Sequence, residues 1–77
     1  MYFVVNGQTR EFSQLAPGAQ IRDLIAELGL KGDRLAIEQN GSIVPRSEWG
    51  TTGLAEGDRL EIVHFVGGGR EGESSPE

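Results

Sequence analysis

Two Asn-Gly pairs limit the folds open to this chain more than any other feature of its sequence. Asn6-Gly7 follows the apolar run YFVV at residues 2–5, and Asn40-Gly41 follows the run LAIEQ. Both central positions of a type I′ turn need a positive φ angle, which glycine and asparagine adopt more readily than other residues. Each pair therefore predicts a tight β-hairpin, with return strands at residues 8–12 and 42–44.

One amphipathic helix is predicted between the two hairpins. In AQIRDLIAELGL, the side chains of Ile21, Leu24, Ile25 and Leu28 recur at the spacing of a single helical stripe. The glycine after Leu28 suits the left-handed position that ends many helices. No Ser, Thr, Asp or Asn precedes the stripe as a cap, so the start of the helix is left undefined. A helix of about two turns is not stable alone and must lie across a sheet.

The second half of the chain supplies the remaining strands. Pro45 cannot donate a ladder hydrogen bond, so the strand before it is expected to be short and to lie at a sheet edge. Residues 46–50 form a local turn that carries Trp49, and residues 59–66, after a Gly-Asp turn, form the longest strand. The fold class is therefore α+β, with a sheet of about five strands packed on one helix.

Length and composition exclude several classes of protein. The 77 residues make one domain, and no cysteine is available for a disulfide, a thiolate metal site or a nucleophile. The net charge of −5 makes the chain a poor nucleic-acid binder. This charge suits a partner with a basic surface, or it serves solubility alone. Neither a membrane span nor a signal peptide is evident, so we expect a cytoplasmic protein.

Side chains that could form an enzyme active site are missing from the sequence. His64 is the only histidine, so no histidine-based metal cluster is expected, and Ser13, Ser42 and Ser47 have no triad around them. The glycine run at residues 67–69 lacks the Lys and Ser/Thr of a phosphate-binding loop, and no helix follows it. We therefore expect no catalytic residue and no bound metal or cofactor.

The end of the sequence changes character after residue 66. We divide the chain into a folded domain at 1–66, a flexible glycine run at 67–69 and a disordered, charged tail at 70–77, which has no apolar residue. A glycine run without Cβ atoms can thread a narrow channel in a partner, and a terminal glycine offers an unhindered acyl group. Taken alone, the glycines favour a plain flexible linker over an acyl terminus.

Two further features concern the surface of the predicted domain. If Leu60 and Ile62 of the last strand face the helix, Val63 and Phe65 face away and form an apolar patch close to the glycines. Such a patch suits partner docking, although single exposed apolar residues are common on small domains. Trp49 is expected to be half-buried at an edge of the core, with a docking role as the alternative.

Several stretches of the sequence, taken in order, resemble the ThiS family of sulfur carriers. The opening VVNG, the helix IRDLIAELGL, the stretch AIEQNGSIVPRSEW and the ending GDRLEIVHFVGGG are each similar to family patterns and together cover residues 1–69. The most specific part is VPRSEW, because family members carry a similar V-P-R-x-x-W stretch. The resemblance implies a ubiquitin-like β-grasp fold, in which the first and last strands run parallel at the middle of a mixed sheet.

The resemblance also implies a function for the glycines. A ThiF-type adenylyltransferase would use ATP and magnesium to adenylate Gly69, with Gly67 and Gly68 as its flexible arm. A persulfide donor would then convert Gly69 to a thiocarboxylate, and a ThiG-type thiazole synthase would take the sulfur for thiamine biosynthesis. The carrier itself would have no turnover and would not be an enzyme.

The chain departs from the family pattern at its end. Family members usually stop at Gly-Gly, whereas this sequence continues from Arg70 to Glu77. Either a protease removes residues 70–77 or this form is inactive. Two alternatives stay open: a sulfur carrier for another product, such as cysteine or molybdopterin, and a ubiquitin-like interaction module whose glycines are a linker.

Overall fold

The computed structural model describes residues 1–31 and 33–65. The predicted glycine run and tail, at 67–69 and 70–77, lie outside the described residues. The elements in chain order are five strands, one α-helix and one short 3₁₀ helix: β1 Tyr2–Val5, β2 Gln8–Glu11, α1 Ile21–Glu27, β3 Leu35–Gln39, β4 Ser42–Ile43, the 3₁₀ helix Arg46–Glu48, and β5 Arg59–His64.

Both predicted hairpins are present. The φ angles are 50° at Asn6 and 83° at Gly7, and 52° at Asn40 and 89° at Gly41, so all four residues adopt the positive φ that the turn requires. The return strands end one residue earlier than predicted, β2 at Glu11 and β4 at Ile43. The next residue after each strand, Phe12 or Val44, is buried in the core, and its N–H still donates across the hairpin, to the Met1 carbonyl at 2.7 Å or the Ile37 carbonyl at 2.9 Å.

The strand order is β2-β1-β5-β3-β4 in one mixed sheet. The first and last strands, β1 and β5, pair in parallel at its middle, with Val4 opposite Arg59 and Val5 opposite Leu60. Every other pairing is antiparallel. β4 lies at one edge, as Pro45 predicts. This order is the predicted ubiquitin-like β-grasp arrangement, with α1 across one face of the sheet.

The helix begins and ends with identifiable hydrogen bonds. At its start the N-cap residue is Gln20, and the carboxylate of Asp23, three residues later, accepts a hydrogen bond of 2.8 Å from the Gln20 backbone N–H, as in a capping box. At its end Gly29 has a φ angle of 73°, as predicted. The Leu30 N–H then bonds the Ile25 carbonyl at 3.1 Å, which completes a Schellman motif.

The core lies between α1 and the sheet and is purely hydrophobic among the described residues. Trp49 belongs to it: the side chain is only 6% exposed, more buried than expected, and its indole N–H donates to the Val44 carbonyl at 3.0 Å. That bond satisfies the one polar atom of the ring and permits full burial. The buried side chains are Phe3, Val5, Phe12, Ile21, Leu24, Ile25, Leu35, Ile37, Val44, Trp49, Leu54, Leu60 and Ile62.

Candidate functional site

The strand β5 leads from the centre of the sheet towards the glycine run, so its surroundings define the candidate site. Leu60 is fully buried and Ile62 is 7% exposed, whereas Val63 is 52% exposed and Phe65 is 58% exposed. The predicted division of this strand into a core face and an outer face is therefore confirmed. Val63 and Phe65 lie on the sheet face that α1 does not cover.

The backbone at the exposed end of β5 is held on both sides. On the β3 side, the Phe65 N–H donates to the Arg34 carbonyl at 2.8 Å, one residue past the end of the strand. On the β1 side, the Asn6 side chain accepts a 2.7 Å hydrogen bond from the Ile62 N–H and donates one of 3.2 Å to the Ile62 carbonyl. Hydrogen bonds thus hold the backbone of Ile62, just before Val63, and of Phe65, two residues after it.

Asn40, in the second turn, forms similar hydrogen bonds at the other end of β5. Asn40 accepts a hydrogen bond from the Arg59 N–H at 2.9 Å, and its amide group donates to the Asp58 carboxylate at 3.0 Å. The sequence assigned both asparagines only to their turns. The bond from Asn40 to β5 joins residues 19 apart in the sequence, and the bond from Asn6 joins residues 56 apart. A local sequence pattern does not predict contacts at such separations.

Asp58 connects three segments at the start of β5. Its carboxylate accepts hydrogen bonds from the Asn40 amide, the Ala55 N–H at 2.8 Å and the Gln39 amide at 2.9 Å. Partial burial of the carboxylate raises its pKa, but the three hydrogen bonds stabilise the charged form and lower the pKa below its ordinary value. The group is therefore a structural anchor for the Gly57-Asp58 turn.

The outer face of the sheet mixes apolar and acidic side chains. Residues that pair across neighbouring strands present their side chains on the same face. Val63 pairs with Ala36, while Glu38 lies between Ile43 and Glu61 in the neighbouring strands. Ile43, which is 71% exposed, thus extends the apolar surface of Val63 and Phe65 towards the sheet edge, with two carboxylates among these side chains.

Catalytic groups are not assembled in the described part of the chain. His64 is exposed on β5, and Ser13, Ser42 and Ser47 are exposed in other segments. Among residues 1–31 and 33–65, no group of three or more His, Cys, Asp or Glu side chains could hold a metal ion. No helix in the same ranges is long and apolar enough to cross a membrane. The predicted roles of Gly67, Gly68 and Gly69 lie outside the described residues and stay predictions.

The region that matches known proteins includes these glycines. The ThiS family pattern matches residues 3–69. The chain is 39% identical over 49 residues to the sulfur carrier protein ThiS of Bacillus subtilis, a match that covers 64% of this chain and 74% of that protein. It is also 39% identical over 71 residues, or 92% of its length, to a thiazole synthase of Paramagnetospirillum magneticum.

The two kinds of relative differ in length. The chain spans only 21% of the Paramagnetospirillum thiazole synthase and 16% of a thiazole synthase of Magnetococcus marinus, to which it is 38% identical over 53 residues. Among solved structures, the thiamine biosynthesis protein ThiS of Geobacter metallireducens superimposes with a TM-score of 0.77 at 27% identity, covering 90% of this chain and all of that one. Together with the family match over residues 3–69, these likenesses show that the chain belongs to the ThiS family.

Proposed function

We propose that this protein is a sulfur carrier of thiamine biosynthesis, that Gly69 carries the sulfur, and that the protein is a co-substrate and not an enzyme. The observation that carries this proposal is the extent of the family match, which ends at residue 69 and so includes the whole glycine run.

The proposed chemistry takes place at the carboxylate of Gly69 within the active sites of partners. In a ThiF-type adenylyltransferase, an oxygen of this carboxylate attacks the α-phosphorus of ATP, with magnesium held by the partner, and pyrophosphate leaves. The terminal sulfur of a persulfide donor then attacks the acyl carbon and displaces AMP. A thiol cleaves the remaining S–S bond and leaves the thiocarboxylate, which a ThiG-type thiazole synthase consumes.

This chemistry requires a free carboxylate at Gly69. In this chain Arg70 follows, so the Gly69 carbonyl belongs to a peptide bond and has no second oxygen to attack ATP. We therefore include in the proposal a protease that cleaves the bond between Gly69 and Arg70. Glycine suits this position because it leaves the acyl carbon open to the incoming sulfur.

Docking of the partners is assigned to the outer face of the sheet around Val63 and Phe65. Both side chains are more than half exposed, and Phe65 precedes Gly67 by only two residues. A partner that covers them is therefore close to the point where the glycine run begins. Exposed aromatic residues on a fixed backbone are typical anchors of interfaces. The chain is similar to part of two proteins named thiazole synthase, and this similarity supports such an enzyme as one partner.

The experiment compares a chain ending at Gly69 with the chain of 77 residues. Each is incubated with a ThiF-type adenylyltransferase, ATP, magnesium and a persulfide donor, and intact mass is measured. We expect the shorter chain to gain about 16 Da, as one sulfur replaces one oxygen at the acyl centre, and the longer chain to remain unchanged. Thiocarboxylate on the longer chain with residues 70–77 retained would contradict the proposal, as would an inert shorter chain with a partner active on another carrier.

A further inference from the structure

A cleft of about 600 Å³ lies on the helix side of the domain, between α1 and residues 46–51. It is lined by the core residues Ile25 and Trp49, by the half-buried Leu30 and by the exposed side chains of Arg22 and Arg46. Apolar groups and two guanidinium groups thus share one concave surface. The cleft is on the opposite side of the sheet from Val63 and Phe65 and takes no part in the function proposed above.

The walls of this cleft are tied together by backbone hydrogen bonds. The Arg22 N–H donates to the Trp49 carbonyl at 3.0 Å, and the Ile21 N–H donates to the Thr52 carbonyl at 3.1 Å. Trp49 itself is fixed by its indole bond to Val44. Because the two walls are already joined, a ligand that binds between them loses little free energy to ordering of the backbone.

The Arg22 side chain is placed over the cleft wall at Gly50. A Cβ atom at Gly50 would lie 3.1 Å from Nη1 and 3.4 Å from Cζ of Arg22, so the glycine leaves room for the guanidinium to lie against the backbone. Neither Arg22 nor Arg46 forms an ion pair with any residue in the ranges that the structure describes. Both cations are therefore available to a ligand.

The ligand must match two cations and an apolar lining. The cleft volume of about 600 Å³ is much larger than a phosphate group, which would leave the apolar lining uncovered. Nucleic acid would meet only two cations on a chain whose net charge is −5. Charge beyond about 8 Å is screened at physiological ionic strength, so the local arginines and not the net charge govern binding in the cleft.

We propose that this cleft docks an acidic peptide segment of a partner protein, in which an Asp or Glu lies next to an apolar side chain. The carboxylates pair with Arg22 and Arg46, and the apolar side chain covers Ile25, Leu30 and Trp49. The cleft and the outer face of the sheet are on opposite sides of the domain. A partner in the cleft and a partner on Val63 and Phe65 can therefore bind at the same time.

The test uses the ¹⁵N-labelled chain of 77 residues and a synthetic peptide, acetyl-Asp-Leu-Glu-Asp-Leu-amide. A matched peptide with Asn and Gln in place of Asp and Glu is the ligand control. We expect the acidic peptide to change the amide chemical shifts of the labelled chain, with the largest changes at Gly50 and Thr51. The neutral peptide should not produce these changes. Arg22→Gln and Arg46→Gln should each weaken binding about three- to fivefold, as expected for exposed ion pairs. Arg59→Gln, which removes the same charge on the other side of the sheet, should change it less than twofold.

Four outcomes would overturn the proposal. Binding of the neutral peptide as tightly as the acidic one would show that charge does not contribute. A loss of affinity in Arg59→Gln as large as that in Arg22→Gln or Arg46→Gln would show non-specific attraction. Displacement of the peptide by inorganic phosphate at similar concentration would identify a small-anion site. Clearly tighter peptide binding by a chain ending at Gly69 would identify residues 70–77 of this chain as the occupant.

Discussion

The side-chain amide of Asn6 forms hydrogen bonds with both backbone groups of Ile62, 56 residues away in the sequence. The parallel ladder between β1 and β5 ends at Val5 and Leu60, so the chain of β1 no longer reaches the backbone of Ile62. The amide of Asn6 takes over that pairing. One residue therefore forms the first turn and also continues the central pairing of the sheet.

Replacement of Asn6 by glycine should separate these two roles, because glycine tolerates the φ angle of 50° but has no amide. We expect a loss of about 1–3 kcal/mol in the free energy of unfolding, since two backbone groups of Ile62 lose their partner. Denaturant unfolding measures the loss, and amide exchange at Ile62 should become faster. Asn6→Ala should cost about 1 kcal/mol more, because alanine resists the left-handed conformation. A glycine variant as stable as the parent would contradict the role of the amide.

Phe65→Ala and Ile62→Ala should have opposite consequences. Phe65 is 58% exposed, so we expect its truncation to weaken binding to the adenylyltransferase or to thiazole synthase by about 1–3 kcal/mol, with little effect on folding. Ile62 is 7% exposed, and its truncation should destabilise the domain by about 2–5 kcal/mol. Titration calorimetry and thermal unfolding distinguish the two effects. Unchanged partner affinity in a folded Phe65→Ala variant would remove Phe65 from the interface.

Deletion of residues 70–77 should leave the stability of the domain unchanged. The deleted sequence REGESSPE has no apolar side chain, so no hydrophobic burial is lost with it. We expect the thermal midpoint to shift by less than about 2 °C, below the effect of ~1 kcal/mol in a domain of this size. Scanning calorimetry of the two chains provides the measurement. A loss of cooperative unfolding on deletion would show that these residues pack against the domain.

Gly69→Ala, in a chain ending at residue 69, should slow formation of the thiocarboxylate by on the order of tenfold. The added methyl group must enter a channel shaped for backbone atoms and crowds the acyl carbon. Single-turnover mass spectrometry with a ThiF-type enzyme gives the rate. Gly67→Ala, two residues from the acyl carbon, is the matched control and should be affected less. Equal rates for the parent and Gly69→Ala would argue against Gly69 as the reacting residue.

The stability difference between the parent and Asp58→Asn should depend on pH. Hydrogen bonds lower the pKa of Asp58 in the folded chain relative to the unfolded chain, for which a value of about 3.9 is typical. Its contribution is therefore complete above that value and is lost as the pH falls through the folded pKa. We expect the parent to exceed the variant in stability at pH 6 and the difference to shrink below about pH 4.

Asp33→Asn is the control for this titration. It removes the same charge from an exposed side chain that makes no hydrogen bond in the described part of the chain. The stability difference between Asp33→Asn and the parent, measured by denaturant unfolding at each pH, should not shrink in the same way as the pH falls. A constant difference between the parent and Asp58→Asn from pH 6 to pH 3 would mean that the three hydrogen bonds do not favour the charged carboxylate.

Local signals in the sequence were sufficient for the turns, the helix and the two faces of β5. The turns rest on the φ preferences of Asn and Gly, and the faces of β5 rest on simple alternation, so both are decided within a few residues. Trp49 is more buried than the sequence predicts, because its burial depends on the Val44 carbonyl being within reach of its indole N–H. Contacts between distant segments form the hydrogen bonds from Asn6 and Asn40 to β5 and the cleft between Arg22 and Arg46. The periodicity of the sequence does not predict such contacts.

The parallel pairing of β1 with β5 has a consequence for biosynthesis. The first strand leaves the ribosome with one neighbour, β2, and its other neighbour lies more than 50 residues later in the chain. Until β5 emerges, the inner edge of β1 and that of β3 both stay unpaired. The sheet therefore closes in one late step, when the last strand enters between two waiting edges, and nascent chains shorter than residue 64 should remain open to proteases and chaperones.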